Sequence, residues 1–114
     1  MKAIIKTSGA VLAGDVETAE SLFARLKGLL GRSGLSSGHA LWIRPCNGIH
    51  TFGMRFPIDV VVLDRDLNVR AIHPAVNPWR MTTLYPVGCS VLELPAGATN
   101  EAGLCMGDTV MFAP

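Results

Sequence analysis

Two residues able to act as nucleophile, base or metal ligand, Cys46 and His50, lie near the middle of the chain. In extended backbone, their even separation of four residues places both side chains on one face. Three interpretations stay open: a buried thiol beside a hydrogen-bonded core histidine, a cysteine–histidine pair for nucleophilic catalysis, or part of a metal site. The metal interpretation needs a further ligand, for which the candidates are Cys89, Cys105 and His73.

Two carboxylates interrupt apolar runs that are typical of strands. Asp59 lies in the run 58–63, whose two alternating faces are otherwise apolar, so this strand should be covered on both sides. A carboxylate buried there needs backbone amides or a cation to compensate it. Asp59 is therefore expected either to anchor the bend at 54–57 through backbone N–H groups or to take part in catalysis or binding. Glu93 interrupts the run 91–94 in the same way, and the same alternatives apply.

Polar side chains thus converge on covered strands, which favours a pocket there. Arg55 and His50 are the nearest candidates in sequence to compensate Asp59. Trp42 and Trp79 are either walls of the pocket or ordinary core side chains. The predicted pocket consists of Trp42, Cys46, His50, Met54, Arg55, Asp59 and Glu93.

One N-terminal segment has helical periodicity. Apolar residues recur at helical spacing from Ala19 to Leu30, Asp15 or Thr18 can cap the start, and Gly31 suits the left-handed position after a helix. The pattern predicts one amphipathic helix before the main run of strands.

Short β-rich runs make up most of the remaining chain, separated by Pro, Gly, Asp or Asn. The segments predicted as strands are 3–5, 11–12, 39–43, 49–54, 58–63, 69–73, 90–94 and 109–112. A single helical turn is predicted at 99–102, and 74–88 is either an edge strand or a covering flap. The sequence therefore predicts one domain over residues 1–114, mainly β with one N-terminal amphipathic helix, forming a compact β-sandwich or barrel.

Composition excludes several classes of protein. Hydrophobic residues make up 49% and charged residues 17% of the 114 residues, which is typical of a packed domain. The net charge of +1 and the scattered basic residues argue against a nucleic-acid partner. No run is long enough for membrane insertion and no signal peptide is recognisable, so a cytoplasmic location is expected. The three cysteines have no C-x-x-C spacing, and neither a metal nor another cofactor is predicted.

Four short motifs, in this order, resemble those of the prokaryotic family known as domain of unknown function 192. The matching residues are Arg25, Gly28, Leu29 and Arg32, then Met54, Pro57 and Asp59, then Glu93 and Gly97, and finally Gly107 and Asp108. The resemblance implies a compact β-sandwich or barrel with one helix, and it implies no reaction. It also implies that some relatives are exported. The residues 49–53 depart from the Trp-Met pair that is frequent before this methionine in the family, which marks a subgroup with its own site chemistry.

Three functions remain open. The leading hypothesis is a binding module for a small molecule or peptide at the predicted pocket. The second is a small hydrolase that uses Cys46, His50 and Asp59. The third is an interaction or assembly protein that offers the region from Met81 to Tyr85 as an edge strand.

Overall fold

The computed structural model describes residues 1–82 and 84–114, apart from the side chains of Leu22, Phe23 and Leu26. It contains eight strands and two short helices. In chain order they are β1 (Lys2–Ile5), β2 (Val11–Ala13), β3 (Asp15–Ala19), α1 (Leu22–Lys27), β4 (His39–Ile43), β5 (Ile58–Leu63), β6 (Val69–Val76), β7 (Ser90–Pro95), α2 (Ala98–Ala102) and β8 (Val110–Ala113).

The strands form two sheets, which confirms the prediction of a mainly β fold. The smaller sheet has the order β2-β1-β8, and the larger has the order β3-β4-β7-β5-β6. Neighbouring strands are antiparallel except β3 and β4, which are parallel. The predicted alternative of a barrel is wrong, because in residues 1–82 and 84–114 both sheets end in strands that have a neighbour on one side only.

The larger sheet is covered on both faces by separate cores. The inter-sheet core, between the two sheets, includes Val61 and Leu63 of β5. The outer core, on the opposite face of the larger sheet, includes Val60 and Val62 together with Leu29, just after α1. All six residues of β5 are buried, as the continuous apolar run predicts. This double cover gives a polar side chain on β5 or β7 a mostly apolar environment.

The N-terminal helix is much shorter than its periodicity predicts. Residues 15–19 form strand β3, which pairs in parallel with β4, so tertiary pairing overrides the helical pattern there. The helix begins after Ser21, whose hydroxyl accepts a hydrogen bond from the Ala24 N–H at 3.1 Å. It ends at Gly28, which has a φ of 49°, rather than at Gly31. The prediction of a single helix is also incomplete, because the turn predicted at 99–102 is the helix α2.

The predicted strand at 49–54 is irregular backbone that pairs with the segment 74–88 at only a few positions. His50 forms one antiparallel bridge with Met81, and the Thr51 N–H donates to the Arg80 carbonyl at 2.8 Å. Val76 and Tyr85 pack partly against the outer core. The end of β6 and the segment after it therefore cover part of the outer core. Among the described residues, no helix is long and apolar enough to cross a membrane.

Candidate functional site

Glu93 is a buried acidic residue on the outer-core face of the larger sheet. In β7 the side chains alternate, so Val91 lies in the outer core while Leu92 and Leu94 lie in the inter-sheet core. Glu93 shares the face of Val91 and is paired across the sheet with Leu41 and Val60. Its side chain is only 3% exposed.

The Glu93 carboxyl is poorly solvated. Burial raises the pKa of Glu93 from its ordinary value of 4.5 to about 7, although the positive charge of Arg32 acts in the opposite direction. The buried oxygen Oε1 has no hydrogen-bond partner among the described residues. A methyl group at Gly28 would lie 3.5 Å from this oxygen, so a side chain at the end of α1 would pack directly against the carboxyl.

Arg25 supplies a second unpaired polar atom. One terminal nitrogen of its guanidinium donates to the Pro45 carbonyl at 3.2 Å, whereas the buried Nε has no partner among the described residues. Arg25 and Glu93 line the same cavity, which has a volume of about 250 Å³. Apolar side chains of Leu29, Ile43 and Met54 form part of its wall. The cavity is therefore largely apolar, and its lining includes the charged residues Arg25, Glu93 and the exposed Lys27. Of these, Arg25 and Glu93 each have a hydrogen-bonding atom without a partner among the described residues.

Cys46 lines the cavity as a thiol. Its Sγ donates to the Gly48 carbonyl at 3.0 Å, and its backbone N–H donates to the Cys89 carbonyl at 2.9 Å. Burial raises the pKa of the Cys46 thiol, and the charge of Glu93 adds to this effect, whereas the charge of Arg25 opposes it. A raised pKa is unfavourable for a nucleophilic cysteine, because the thiolate is the reactive species.

His50 also lines the cavity but is exposed. Its Nδ1 accepts a hydrogen bond from the Phe52 N–H at 3.3 Å, and its ring stacks on Phe52 with centroids 5.2 Å apart. No hydrogen bond joins His50 to Cys46 in the part of the chain that the structure describes. Among the same residues, no group of three or more His, Cys, Asp or Glu side chains could hold a metal ion.

Asp59 points to the opposite face of the sheet from Glu93, although the two residues lie one step apart in the register of β5 and β7. Its carboxylate accepts hydrogen bonds from the N–H groups of Ala75, Gly97 and Thr99 and from the Thr99 hydroxyl, at 2.7 to 3.2 Å. Burial alone would raise the pKa of Asp59, but these four bonds outweigh it and lower the pKa below its ordinary value of 3.8. Asp59 therefore anchors the backbone, which was one of the two predicted alternatives. The backbone that it holds is the end of β6 and the start of α2, and not the bend at 54–57.

Trp42 also lies away from the cavity. Its ring stacks on Phe112 with centroids 3.7 Å apart, and its indole N–H donates to the Ser90 hydroxyl at 2.9 Å. Arg55 is exposed and does not line the cavity. Of the seven predicted pocket residues, the structure brings four together at the cavity, Cys46, His50, Met54 and Glu93, and separates from them Trp42, Arg55 and Asp59.

Arg25 and Gly28 are among the lining residues that sequence reasoning did not assign to the pocket. Both belong to the first of the four motifs described above, so the resemblance carried the signal that could have identified them. Helical spacing alone places Arg25 among solvated basic residues and gives no reason to turn its guanidinium towards the sheet.

The exposed rings of His50, Phe52 and Trp79 form an aromatic rim that adjoins the cavity at His50. Phe52 stacks between His50 and Trp79, and Trp79 is 65% exposed. Trp79 has a φ of 66°, which is rarely adopted by bulky residues. Thr51, which is fully buried, holds this turn: its hydroxyl donates to the Asn77 carbonyl at 2.7 Å and accepts from the Arg80 N–H at 2.9 Å.

A family model with the description "Uncharacterized ACR", for the family DUF192, matches residues 3–112. The chain belongs to the DUF192 family. This confirms the resemblance seen in the four short motifs. Of those motif residues, Arg25, Gly28, Leu29, Met54 and Glu93 line the cavity.

A relative of this DUF192 chain is a UPF0127 protein of Thermococcus sibiricus. The two are 30% identical over 112 residues, which cover 94% of this chain and 71% of the relative. The fold is similar to a crystal structure from Sinorhizobium meliloti described as a proposed transcription regulator, with a TM-score of 0.77, 25% identity, and coverage of 96% of this chain and 89% of the other. A crystal structure of a protein of unknown function from Novosphingobium aromaticivorans has a TM-score of 0.76 at 20% identity, with coverage of 98% and 93%, and shows likeness of fold alone.

Proposed function

We propose that this DUF192 protein is a binding module whose cavity takes a small, mostly apolar molecule with one polar end. The observation that carries the proposal is that Arg25 and Glu93 line one cavity and that each has a buried polar atom, Nε and Oε1 respectively, with no hydrogen-bond partner among the described residues. Leaving a buried polar group unpaired costs about 1 to 3 kcal/mol, and more when the group is charged. A ligand that supplies both missing hydrogen bonds would recover that cost.

The size and walls of the cavity limit the ligand. About 250 Å³ is less than the volume of most sites for drug-sized molecules, which start at roughly 300 Å³. The walls contributed by Leu29, Ile43 and Met54 suit an aliphatic or aromatic group rather than a sugar or a phosphate.

The hydrolase alternative has less support. Asp59 lies on the far face of the sheet and already accepts four hydrogen bonds, and the pKa of the Cys46 thiol is raised. One observation favours acid–base chemistry: Glu93 has a pKa of about 7, in the range that suits a general acid or base. Turnover of a bound molecule that is lost in Glu93→Gln would favour this alternative over simple binding.

The remaining partner hypotheses are still predictions. The description of the Sinorhizobium meliloti protein concerns transcription, but a net charge of +1 gives little support for binding to a phosphate backbone. In the region from Met81 to Tyr85, the described residues form a single bridge rather than a strand, and Thr83 lies outside the described residues. The partner at this edge and the cytoplasmic location have not been tested.

The test is a fragment screen that compares an occluded cavity with a matched control. Ile49 is half-buried in the cavity wall, so Ile49→Trp should fill the space. Leu84→Trp adds the same side chain at a position that is 77% exposed and outside the cavity. Ligand-observed NMR and thermal shift should find fragments that bind the wild type and Leu84→Trp but not Ile49→Trp.

Protection of Cys46 from alkylation gives an independent readout, with the exposed Cys105 as an internal reference. A true ligand should slow alkylation of Cys46 and leave that of Cys105 unchanged. The proposal fails if no fragment binds, or if every fragment that does bind is indifferent to Ile49→Trp.

A further inference from the structure

The two atoms without a partner among the described residues belong to side chains of opposite charge, Arg25 and Glu93. This limits the charges that a ligand of the cavity can have. The Arg25 guanidinium is a permanent cation and a hydrogen-bond donor. The Glu93 carboxyl is an acceptor when it is ionised. Because neither Arg25 Nε nor Glu93 Oε1 has a hydrogen-bond partner within the described part of the chain, the two groups are not paired with each other through these atoms. The cavity that both residues line can hold a molecule with a negative group for Arg25 and a positive group for Glu93.

A ligand with a single charge would match only half of this arrangement. A carboxylate would pair with Arg25 but would bring a second negative charge towards Glu93. An amine would pair with Glu93 but would leave the Arg25 Nε without an acceptor. A zwitterion satisfies both groups with charge-assisted hydrogen bonds, which are about twice as strong as neutral ones.

The rest of the cavity indicates what the zwitterion must also contain. Leu29, Ile43 and Met54 are buried apolar side chains in its wall, and Ile49 adds a further aliphatic surface. The small volume admits a compact aliphatic group. A free amino acid with an aliphatic side chain has this combination of two opposite charges and a short apolar branch.

We infer that the cavity binds a free aliphatic α-amino acid, with its carboxylate at Arg25, its ammonium group at Glu93 and its side chain against Leu29, Ile43 and Met54. This inference rests on the proposed binding function and specifies its ligand. It assigns Arg25 and Glu93 as the residues that read the two ends of the molecule.

The experiment uses four compounds with the same aliphatic branch: L-leucine, 4-methylpentanoic acid, which lacks the ammonium group, 3-methylbutylamine, which lacks the carboxylate, and L-leucinamide, in which a neutral amide replaces the carboxylate. Binding is measured by calorimetry at pH 8, where the Glu93 carboxyl, with a pKa of about 7, is mostly ionised. L-leucine is expected to bind at least about tenfold more tightly than any of the other three, because each of them loses one charge-assisted pair.

Two variants assign the ends of the ligand. Arg25→Gln should weaken L-leucine to the level of 3-methylbutylamine while leaving that amine unchanged. Glu93→Gln should weaken L-leucine to the level of 4-methylpentanoic acid without weakening the acid itself. Urea unfolding of both variants checks that they are folded.

The outcomes separate this inference from the binding function on which it rests. If L-leucinamide or 3-methylbutylamine binds as tightly as L-leucine, the cavity does not recognise the carboxylate. The ligand is then the N-terminus of a peptide or a simple amine, and the inference of a free amino acid is wrong. If none of the four binds but the screen finds fragments sensitive to Ile49→Trp, the ligand class is wrong and the pocket stands. If no fragment binds at all, both proposals fail.

Discussion

Replacing Glu93 by glutamine should change how the stability of this protein depends on pH. The pKa of Glu93 rises from 4.5 to about 7 on folding because its carboxyl is buried. Between these two values the unfolded chain has lost the proton that the folded protein still holds, so the free energy of unfolding falls as the pH rises. The destabilisation caused by ionising the buried Glu93 carboxyl is absent below pH 4.5 and reaches its full size above pH 7.

The size of this effect follows from the two pKa values. Each pKa unit corresponds to about 1.4 kcal/mol, so the ionised Glu93 should destabilise the folded protein by about 3 kcal/mol above pH 7. Glutamine has nearly the same shape and no charge to bury. Glu93→Gln should therefore have nearly the stability of the wild type at pH 4.5 and should be more stable by about 3 kcal/mol at pH 8.

The assay is urea unfolding of the wild type and the variant at a series of pH values between 4.5 and 8.5, without ligand. The difference between the two proteins isolates Glu93, since all other titrating groups are shared. Glu101→Gln is the matched control, because this carboxylate is exposed to water, and its curve should run parallel to that of the wild type. If the stability difference between Glu93→Gln and wild type does not change with pH, the Glu93 carboxyl is not desolvated and the reasoning about the cavity is wrong.

Three other predictions concern residues around the same sheet. Asp59→Asn should lower the free energy of unfolding by about 3 kcal/mol at pH 7, because a carboxylate that accepts four hydrogen bonds loses its charge. Urea unfolding measures this change, and a loss below about 0.5 kcal/mol would contradict the role of Asp59 as an anchor. Thr51→Val should cost about 1 to 3 kcal/mol and change the fluorescence of Trp79, whereas Thr51→Ser, which keeps the hydroxyl, should change both much less. Iodoacetamide should modify the exposed Cys105 well before Cys46, as followed by mass spectrometry, and equal rates would show that the Cys46 thiol is neither shielded nor raised in pKa.

The buried strands were predictable because their apolar pattern depends on local sequence alone. The run 58–63 has two apolar faces and forms the fully buried β5, and 90–94 matches β7 to within one residue. The segment 15–19 was not predictable in this way, because its strand pairs with β4, about 24 residues later, and no local signal specifies that partner.

The candidate site was predictable in part for a similar reason. The apolar runs around Asp59 and Glu93 predicted that both acids would be buried, and both are, but the sequence did not show that adjacent steps in the β5–β7 register put them on opposite faces. Nor did it show that one acid would be fully hydrogen-bonded and the other left without a partner. Local periodicity did not predict the position of Arg25, because that position depends on where α1 ends and on how the helix packs against the sheet.

The hydrogen bonds between the Thr51 hydroxyl and the backbone of Asn77 and Arg80 affect which substitutions this protein tolerates at the turn. The threonine binds the turn at Asn77 and Arg80 only through main-chain atoms, and Trp79 is likewise tied to Thr51 through its own N–H at 3.0 Å. The side chain at position 79 therefore has no structural duty in the turn, and a residue that tolerates a left-handed backbone more easily could replace it without cost to the scaffold. The surface beside the cavity can thus change by exchange of this single exposed side chain, while the sheet stays the same.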